Sequence, residues 1–271
     1  MKVAFVGAGN MASALIGGLI ADGVVASDLY AIDPGEVART QLENKFHIRT
    51  GPRPCTKLAE YDAIVLAVKP QIARNAAQAL AQYLGAGQLL ISISAGVRCA
   101  DLRRWLNGHD CVVRAMPNTP ALIGLGVTGL TGTPGVDESS RHLSSKILGA
   151  VGSIMWFADE SLLDAVTAVS GSGPGYVFYF IEALQRASEL LGLDAKQGRA
   201  LSVATFVGAA QLAARCDDSM MMLRERVTSK EGTTACAVES FEAHGVKEAI
   251  IQGVLAAAAR AMAIGEEYGS E

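Results

Sequence analysis

Residues 2–12 read KVAFVGAGNMA, a short apolar run that breaks into glycines and continues as a helix-like stretch to Asp22. A strand that turns on glycines into a helix brings bare backbone amides up to a helix N-terminus, where a pyrophosphate binds well. A second strand-like run, residues 29–32, is followed by Asp33, which lies 21 residues beyond Ala12, close to where an acid contacts a ribose. The chain therefore opens with a predicted dinucleotide-binding segment, and the expected contacts are Gly7, Ala8, Gly9, Asn10, Met11 and Asp33.

Two other interpretations of this amino terminus are weaker. Glycine pairs at this spacing also occur in ordinary strand-to-helix turns, but here the pattern stands between a strand-like and a helix-like segment. A secretory signal needs an unbroken apolar core, and Gly7, Gly9 and Ser13 interrupt this one behind a single basic residue, Lys2.

The composition limits the classes of protein to which the chain can belong. The chain has 271 residues, 50% of them apolar, which is enough for two domains with substantial cores. A net charge of −4 without basic runs argues against nucleic acid as a partner. The longest apolar stretches are broken or shorter than the about 20 residues of a membrane span, so no membrane is expected. Five scattered cysteines, without a C-x-x-C pair, favour a reducing, cytoplasmic location and no metal site.

Two kinds of periodicity divide the chain near residue 158. Before that point short apolar runs alternate with helix-like segments, and the runs are residues 3–6, 29–32, 47–50, 63–68, 89–93, 112–115, 127–130 and 154–157. Continuous apolar character in residues 63–68 and 89–93 indicates strands buried on both faces, hence a parallel sheet. The predicted fold class is α/β, an N-terminal Rossmann-type doubly wound sheet (residues 1–158) followed by an all-α dimerisation and substrate domain (residues 159–271).

The second half of the chain is predicted to be helical. Apolar residues recur at intervals of three and four in residues 177–191, 199–214, 220–227, 234–243 and 246–267. Alanine-rich faces, such as residues 256–259, permit close contact between helices. We therefore expect a homodimer through these C-terminal helices, while the core of a monomeric bundle is the alternative.

Ligands of an open parallel sheet bind beyond the carboxyl ends of its strands, so the loops at those ends are the next candidates. Three successive runs end in such loops, and the coenzyme contacts expected there are Ala67, Val68, Lys69, Pro70, Ile93, Ser94, Ala95, Met116 and Asn118. Two of the loops have a purely structural alternative. Lys69-Pro70 can start a helix with proline in its first turn, and residues 116–120 can form a rigid turn.

A hydroxyl-rich turn, residues 227–234, enters a predicted helix. Free amides at such a terminus hold a carboxylate, and the hydroxyls add directed hydrogen bonds, while simple N-capping by Thr233 or Thr234 is the alternative. The segment 170–176, rich in glycine, is either a closely packed helix start or a corner between helices. The four histidines lie outside all these loops, so no imidazole acid-base pair is evident and a cofactor must supply the difficult step.

Taken in chain order, five motifs closely resemble the pyrroline-5-carboxylate reductase family. They are GAGNM (residues 7–11), AVKPQ (67–71), MPNTP (116–120), SGSGP (170–174) and VTSKEGTT (227–234). The resemblance implies reduction of 1-pyrroline-5-carboxylate to L-proline by NADPH or NADH, the last step of proline synthesis. It also implies a substrate held between the nicotinamide and helices at a dimer interface, and some members of the family assemble five dimers into a decamer.

Residue roles follow from the same resemblance. The carboxylate cradle corresponds to Ser229, Lys230, Glu231, Gly232 and Thr233. Thr234 corresponds to the catalytic hydroxyl beside the ring nitrogen, and Glu160 falls where the family places an acid near the substrate amine.

Three positions depart from the family pattern. Glu231 stands where the family often has glycine, and Arg226 replaces the usual Asp or Asn before Val-Thr-Ser. A carboxylate at Asp33 favours the ribose hydroxyls of NADH and repels the 2′-phosphate of NADPH, whereas many relatives use NADPH, so coenzyme preference stays open.

Two other functions remain as alternatives. A β-hydroxyacid dehydrogenase would need a lysine soon after its second glycine motif, and residues 170–185 contain none. A dinucleotide-sensing protein without catalysis would have no use for residues 229–234.

Overall fold

One sheet holds all eight predicted strands in the computed structural model, which describes residues 1–269. The strands are β1 Val3–Val6, β2 Leu29–Ile32, β3 Arg49–Gly51, β4 Ala63–Leu66, β5 Leu89–Ser92, β6 Val112–Met116, β7 Gly126–Gly132 and β8 Gly152–Trp156. Their order across the sheet is β3-β2-β1-β4-β5-β6-β7-β8. The first six follow the order of the dinucleotide-binding doubly wound fold, which confirms the predicted fold class and puts the reversal of strand order between β1 and β4.

The parallel arrangement expected of the sheet stops at β6. β7 pairs antiparallel with β6, and β8 then pairs parallel with β7. The connection from β6 to β7 contains only a 3₁₀ turn, Thr119–Ile123, closed by Gly124 in the left-handed region at φ 72°. A parallel return needs a crossover of a dozen or more residues, so this short connection makes the chain turn back on itself.

Helices cover both faces of the sheet, which is why its central strands are apolar throughout. α1 Asn10–Ala21, α2 Glu36–Phe46 and α5 Glu138–Gly149 pack on one face, and α3 Pro70–Ala81 and α4 Cys99–Trp105 pack on the other. Val3 and Phe5 of β1 belong to the first layer, and Ala4 and Val6 belong to the second. All four residues are buried, as expected of a strand covered on both sides.

The remaining elements are helices. They are α6 Leu162–Val166, a π-helical turn Thr167–Gly171, α7 Gly173–Leu190, α8 Ala195–Ala214, α9 Met220–Arg226, α10 Thr233–Ala243 and α11 Val246–Gly269. All five long segments predicted to be helical are confirmed. For residues 170–176, the closely packed helix start is the correct alternative. Pro174 is the second residue of α7, and a Cβ on Gly171 would come within 2.5 Å of Met116 Cε.

The chain forms two compact units. The first unit contains Met1–Ser172 together with the chain from Ala257 onward, and the second unit is Gly173–Ala256. Helix α11 therefore begins in the second unit and ends in the first. By length and composition alone α11 is apolar enough to cross a membrane, and the core helix of a soluble protein meets the same criterion.

Candidate active site

The glycine turn after β1 brings two loops of the first unit into backbone contact. Gly7 has φ +106°, and a Cβ there would lie 2.4 Å from the Ala67 carbonyl oxygen and 3.1 Å from Val68 Cγ1. Its N–H donates to the carbonyl oxygen of Ile32 at 2.7 Å. Only glycine has both the conformation and the small volume that this position requires.

Asp33 fastens the glycine turn to the end of β2. One carboxylate oxygen accepts the Ala8 N–H at 2.9 Å, and the other accepts the Gly35 N–H at 2.8 Å. The Arg39 guanidinium donates to the carbonyl oxygens of Asp33 and Pro34 at 2.7 and 3.0 Å. An acid and a cation therefore lie together at the place where a dinucleotide fold reads the ribose of its coenzyme.

The amino terminus of α1 is open. Its N-cap is Gly9, which carries no side chain to occupy the free amides, and Gly9 and Asn10 are exposed. A cavity of about 490 Å³ opens beside this turn, lined by Ala8, Gly9, Asn10, Ser13, Gln41, Leu42, Asn44 and Lys45. Free amides and the helix dipole at such a terminus favour an anion, so these residues fit the pyrophosphate of a dinucleotide.

The loops after β4 and β5 meet beside the glycine turn. Lys69 is the N-cap of α3 and Pro70 its first residue, as the structural alternative for this pair predicts. The buried Ser94 hydroxyl donates to the Val68 carbonyl oxygen at 2.8 Å and so ties the two loops together. Ala67, Ile93 and Ala95 are half-buried at the carboxyl ends of the strands, where the sequence predicts coenzyme contacts.

Asn118, which is predicted as a coenzyme contact, makes hydrogen bonds within the first unit through both polar atoms of its side chain. Its amide oxygen accepts the Val127 N–H at 2.9 Å, and its Nδ2 donates to the Ser170 carbonyl oxygen at 3.1 Å. The side chain is 8% exposed. Because both amide atoms have protein partners, Asn118 braces the turn after β6, whereas Met116 beside it stays half-buried.

A buried ion cluster, centred on a residue that is not among those predicted for the site, lies next to this turn. Arg114 of β6 is 4% exposed in its side chain, and its guanidinium contacts Glu160 Oε1 at 3.2 Å and Asp164 Oδ1 at 3.0 Å. Glu160 Oε1 also accepts the Cys99 N–H at the start of α4, at 2.8 Å. An arginine inside the apolar run VVRAM is the one sequence signal, since a buried guanidinium requires acidic partners.

The cluster changes the interpretation of Glu160. Its Oε1 atom is used to pair Arg114 and to cap α4, so the carboxylate has a structural role in the first unit. A contact between Glu160 and the substrate amine stays a prediction, and Oε2 is the atom that would make this contact. Burial, followed by the charge of Glu160, raises the pKa of the Cys99 thiol to about 12, so this cysteine is not a nucleophile at neutral pH.

The turn before α10, in the second unit, has the shape of an anion-binding terminus. Gly232 is the N-cap, so the alternative of simple N-capping by Thr233 or Thr234 is wrong, and both threonines lie in the first turn of the helix. A Cβ on Gly232 would lie 2.3 Å from Ser229 Oγ, and glycine is therefore the residue that fits a cap next to this side chain. Within the described residues the Thr234 hydroxyl has no hydrogen-bond partner, and the side chain is half-buried.

Position 231, where the family often has glycine, has a backbone conformation that suits glycine better than glutamate. The residue has φ +60°, in the left-handed region that costs a side-chain-bearing residue about 1–2 kcal/mol. Its side chain is exposed. Nearby, Arg226 forms a two-point ion pair with Asp218, with its Nη2 3.3 Å from Oδ1, and its guanidinium is thereby engaged within the second unit.

The remaining groups that could carry chemistry are clusters of metal ligands and the histidines. Among residues 1–269 no group of three or more His, Cys, Asp or Glu side chains is arranged to hold a metal ion. His47, His142 and His244 are exposed, and the half-buried His109 contacts the Gln88 carbonyl oxygen through Nε2 at 2.7 Å.

Comparison with known proteins gives consistent matches along the whole chain. A family described as "Pyrroline-5-carboxylate reductase dimerisation" matches residues 160–264, and one described as "NADP oxidoreductase coenzyme F420-dependent" matches residues 2–96. The pyrroline-5-carboxylate reductase of Pseudomonas aeruginosa is 43% identical over 268 residues, which is 99% of this chain and 98% of the relative.

Two solved structures are similar over nearly their full length. A pyrroline-5-carboxylate reductase from Coxiella burnetii has a TM-score of 0.91 and 34% identity, covering 97% of this chain and 98% of that one. The Plasmodium falciparum pyrroline carboxylate reductase, solved with NADP bound, has a TM-score of 0.86 and 28% identity, covering 98% of each chain.

Proposed function

Since this chain belongs to the pyrroline-5-carboxylate reductase family and reduces 1-pyrroline-5-carboxylate to L-proline with NAD(P)H, we propose a division of work among its residues. By function, we assign coenzyme binding to residues 1–158, and dimerisation and substrate binding to residues 159–271. This functional division differs from the compact units of the fold, since the first unit also contains residues 159–172 and the chain from Ala257 onward. The observation that carries the substrate assignment is the start of α10, where open amides adjoin a threonine hydroxyl that has no hydrogen-bond partner among residues 1–269.

We propose that the first unit holds the coenzyme through the glycine turn and the strand-end loops. Gly7, Ala8, Gly9, Asn10 and Met11 hold the pyrophosphate at the open start of α1, and Asp33 contacts the adenosine ribose. The nicotinamide contacts are Ala67, Val68, Lys69, Pro70, Ile93, Ser94, Ala95 and Met116. When bound, the reduced nicotinamide supplies the hydride that reduces the cyclic imine.

The substrate carboxylate binds at the turn before α10. Amides of the first helical turn have no acceptor within the helix, and the helix dipole adds a partial positive charge there. Ser229, Lys230 and Thr233 supply a hydroxyl, an ammonium group and a second hydroxyl around these amides. The planar ring is thereby held by its acid group in a fixed orientation.

The Thr234 hydroxyl acts at the ring nitrogen. A cyclic imine becomes strongly electrophilic when its nitrogen is protonated, and a hydroxyl beside that nitrogen holds the proton in place as the nitrogen becomes an amine. Binding must also fix the reacting carbon within about 3–3.5 Å of the hydride donor. The residues of the cradle therefore contribute orientation, and Thr234 contributes to the chemical step.

We expect a reducing, cytoplasmic environment and a homodimer. The five cysteines are all free thiols. Large apolar side chains of α7 and α8 are strongly exposed, among them Phe178, Tyr179, Leu190 and Leu201. A second copy of the chain would cover them, and a decamer of five dimers is the larger assembly to test. A solution mass equal to one chain would contradict this proposal.

Glu231→Gly is expected to stabilise the protein and to improve substrate binding. Relief of the left-handed conformation raises the free energy of unfolding by about 0.5–1 kcal/mol, after the entropy cost of glycine. Removal of an acid beside the carboxylate site lowers the KM for pyrroline-5-carboxylate several-fold. Chemical denaturation and steady-state kinetics measure the two effects.

Glu231→Gln separates these two causes. This variant loses the charge but keeps a side chain in the left-handed region. Its KM should fall while its stability stays unchanged. An unchanged KM in both variants would mean that Glu231 is not close to the bound carboxylate.

Asp33→Ser is expected to raise the ratio of kcat/KM for NADPH to that for NADH by about tenfold, about 1.4 kcal/mol. The carboxylate repels a 2′-phosphate, whereas Arg39 beside it attracts one. The measurement is steady-state oxidation of both coenzymes with racemic pyrroline-5-carboxylate, in wild type and variant. Absence of turnover with either coenzyme in the wild type would refute the proposed reaction.

Glu36→Ser is the matched control for this change. Glu36 is an exposed acid at the first position of α2, three residues beyond Asp33, and it makes no hydrogen bond to the glycine turn among the described residues. Its loss changes the local charge by the same amount. An equal change of coenzyme preference in both variants would show that charge alone, without contact to the ribose, controls the preference.

A further inference from the structure

The end of α11 contacts the loop that follows β5. A Cβ on Gly96, at φ +77°, would lie 2.5 Å from Ile264 Cγ2 and 3.4 Å from the Gly265 backbone nitrogen. A Cβ on Gly265 would lie 3.2 Å from the Gly96 carbonyl oxygen. The loop and the last turns of the helix therefore touch at backbone distance, in a place where each of the two segments has a glycine.

Further contacts hold this helix end in position. The Arg98 guanidinium lies against Gly265, and a Cβ on Gly265 would be 2.9 Å from Arg98 Nε. Arg104 of α4 donates to the Gly269 carbonyl oxygen at 2.8 Å and pairs with the buried Asp101 at 3.2 Å. Ala261 and Gly265 are buried, so this part of α11 is packed within the first unit.

The same loop contains three of the residues to which we assign the nicotinamide. On its other side, Ser94 Oγ donates to the Val68 carbonyl oxygen and links the loop to residues 67–70. The loop is thus held between the β4 loop and the end of α11. A shift of Gly96 would move Ile93, Ser94 and Ala95, because they precede it directly in the chain.

We propose that Ile264 is a positioning residue for coenzyme binding, which it supports by holding residues 93–96 in place from behind. This inference rests on the proposed coenzyme role of residues 93–95. Ile264 itself touches the loop at Gly96 and is not assigned any contact with the coenzyme. A segment near the end of the chain thereby contributes to a site built from the amino-terminal half.

The test measures equilibrium binding of NADPH by fluorescence titration, without turnover. Ile264→Ala removes the contact with Gly96, and we expect its Kd for NADPH to rise about fivefold. Met262→Ala removes an exposed apolar side chain of the same helix and should leave the Kd unchanged. Equal Kd values for these two variants would overturn the proposal, even if Ile264→Ala lowers the melting temperature.

A double variant distinguishes positioning from general loss of stability. Gly96→Ala forces its new methyl group against Ile264 and should raise the Kd more than tenfold. Adding Ile264→Ala to Gly96→Ala removes that clash, so the Kd should then fall, although the same change raises it in the wild-type background. Such a reversal of sign is a coupling that independent sites do not show. Additive effects on the Kd would refute a direct link.

A change within the loop itself separates failure of this inference from failure of the coenzyme assignment. Ile93→Ala alters the loop directly and should raise the Kd for NADPH. An unchanged Kd for Ile93→Ala would remove the coenzyme role from the loop, and with it the basis of the proposal. A raised Kd for Ile93→Ala together with a wild-type Kd for Ile264→Ala would retain the coenzyme role and refute the positioning role.

Discussion

Thr234→Ala is expected to lower kcat by about 10²-fold while the Kd for the coenzyme stays unchanged. The hydroxyl has no partner among the described residues, so its removal costs little folding energy, and the loss falls on the chemical step. A single directed donor at a reacting atom typically contributes this much to the rate. Steady-state kinetics with both substrates, together with a coenzyme titration, measure the two quantities separately.

The serine variant is the control for this prediction. Thr234→Ser keeps the hydroxyl and removes only a methyl group, so it should retain most of the activity. Equal losses of kcat in the serine and alanine variants would assign the effect to packing. Equal losses of turnover and coenzyme affinity in Thr234→Ala would remove the residue from the chemical step.

Arg114→Leu is expected to reduce the free energy of unfolding by about 3–5 kcal/mol. The substitution leaves two carboxylates without their cation. These are Asp164, whose side chain is 10% exposed, and Glu160. Small domains are stable by only about 5–15 kcal/mol, so the variant should lose a large part of its stability. Chemical denaturation followed by circular dichroism measures the change.

An exposed ion pair provides the comparison. Arg186 pairs with Glu189 at 2.9 Å on α7, with 69% of the Arg186 side chain exposed. Arg186→Leu should change stability by less than about 1 kcal/mol. Glu160→Gln belongs to the same experiment. If the Glu160 carboxylate has only a structural role, its loss should lower stability and leave the KM for pyrroline-5-carboxylate unchanged. Similar losses for Arg114→Leu and Arg186→Leu would contradict the importance of the buried cluster.

The sequence predicts most of the fold because the relevant signals are local. Continuous apolar runs such as Ala63–Leu66 identify strands covered on both faces, and the glycines after Val6 mark the coenzyme turn. The direction of β7 does not follow from the apolar pattern of the strand itself. Its signal is the length of the connection after β6, which is too short for the crossover that a parallel strand requires.

Several side chains around the candidate site have partners that are distant in the chain. Asn118 stands at a strand end like a coenzyme contact, but its partners include Ser170, 52 residues away. Arg114 requires an acid, yet nothing local identifies Glu160 and Asp164, which are 46 and 50 residues further on. Thr233 and Thr234 both suit an N-cap by residue type, and the preceding Gly232 takes that position because the helix begins one residue earlier than predicted.

The return of α11 to the first unit has a consequence for the order in which the protein forms during synthesis. β1 is synthesised before both of its neighbours in the sheet, β2 and β4, and it has only one of them until residue 66 has been made. Gly96 can meet Ile264 only after residue 264 has also been made. A nascent chain stalled between residues 157 and 264 therefore carries every strand of the sheet but lacks the helix end that contacts Gly96, so this contact within the first unit forms long after its strands are available.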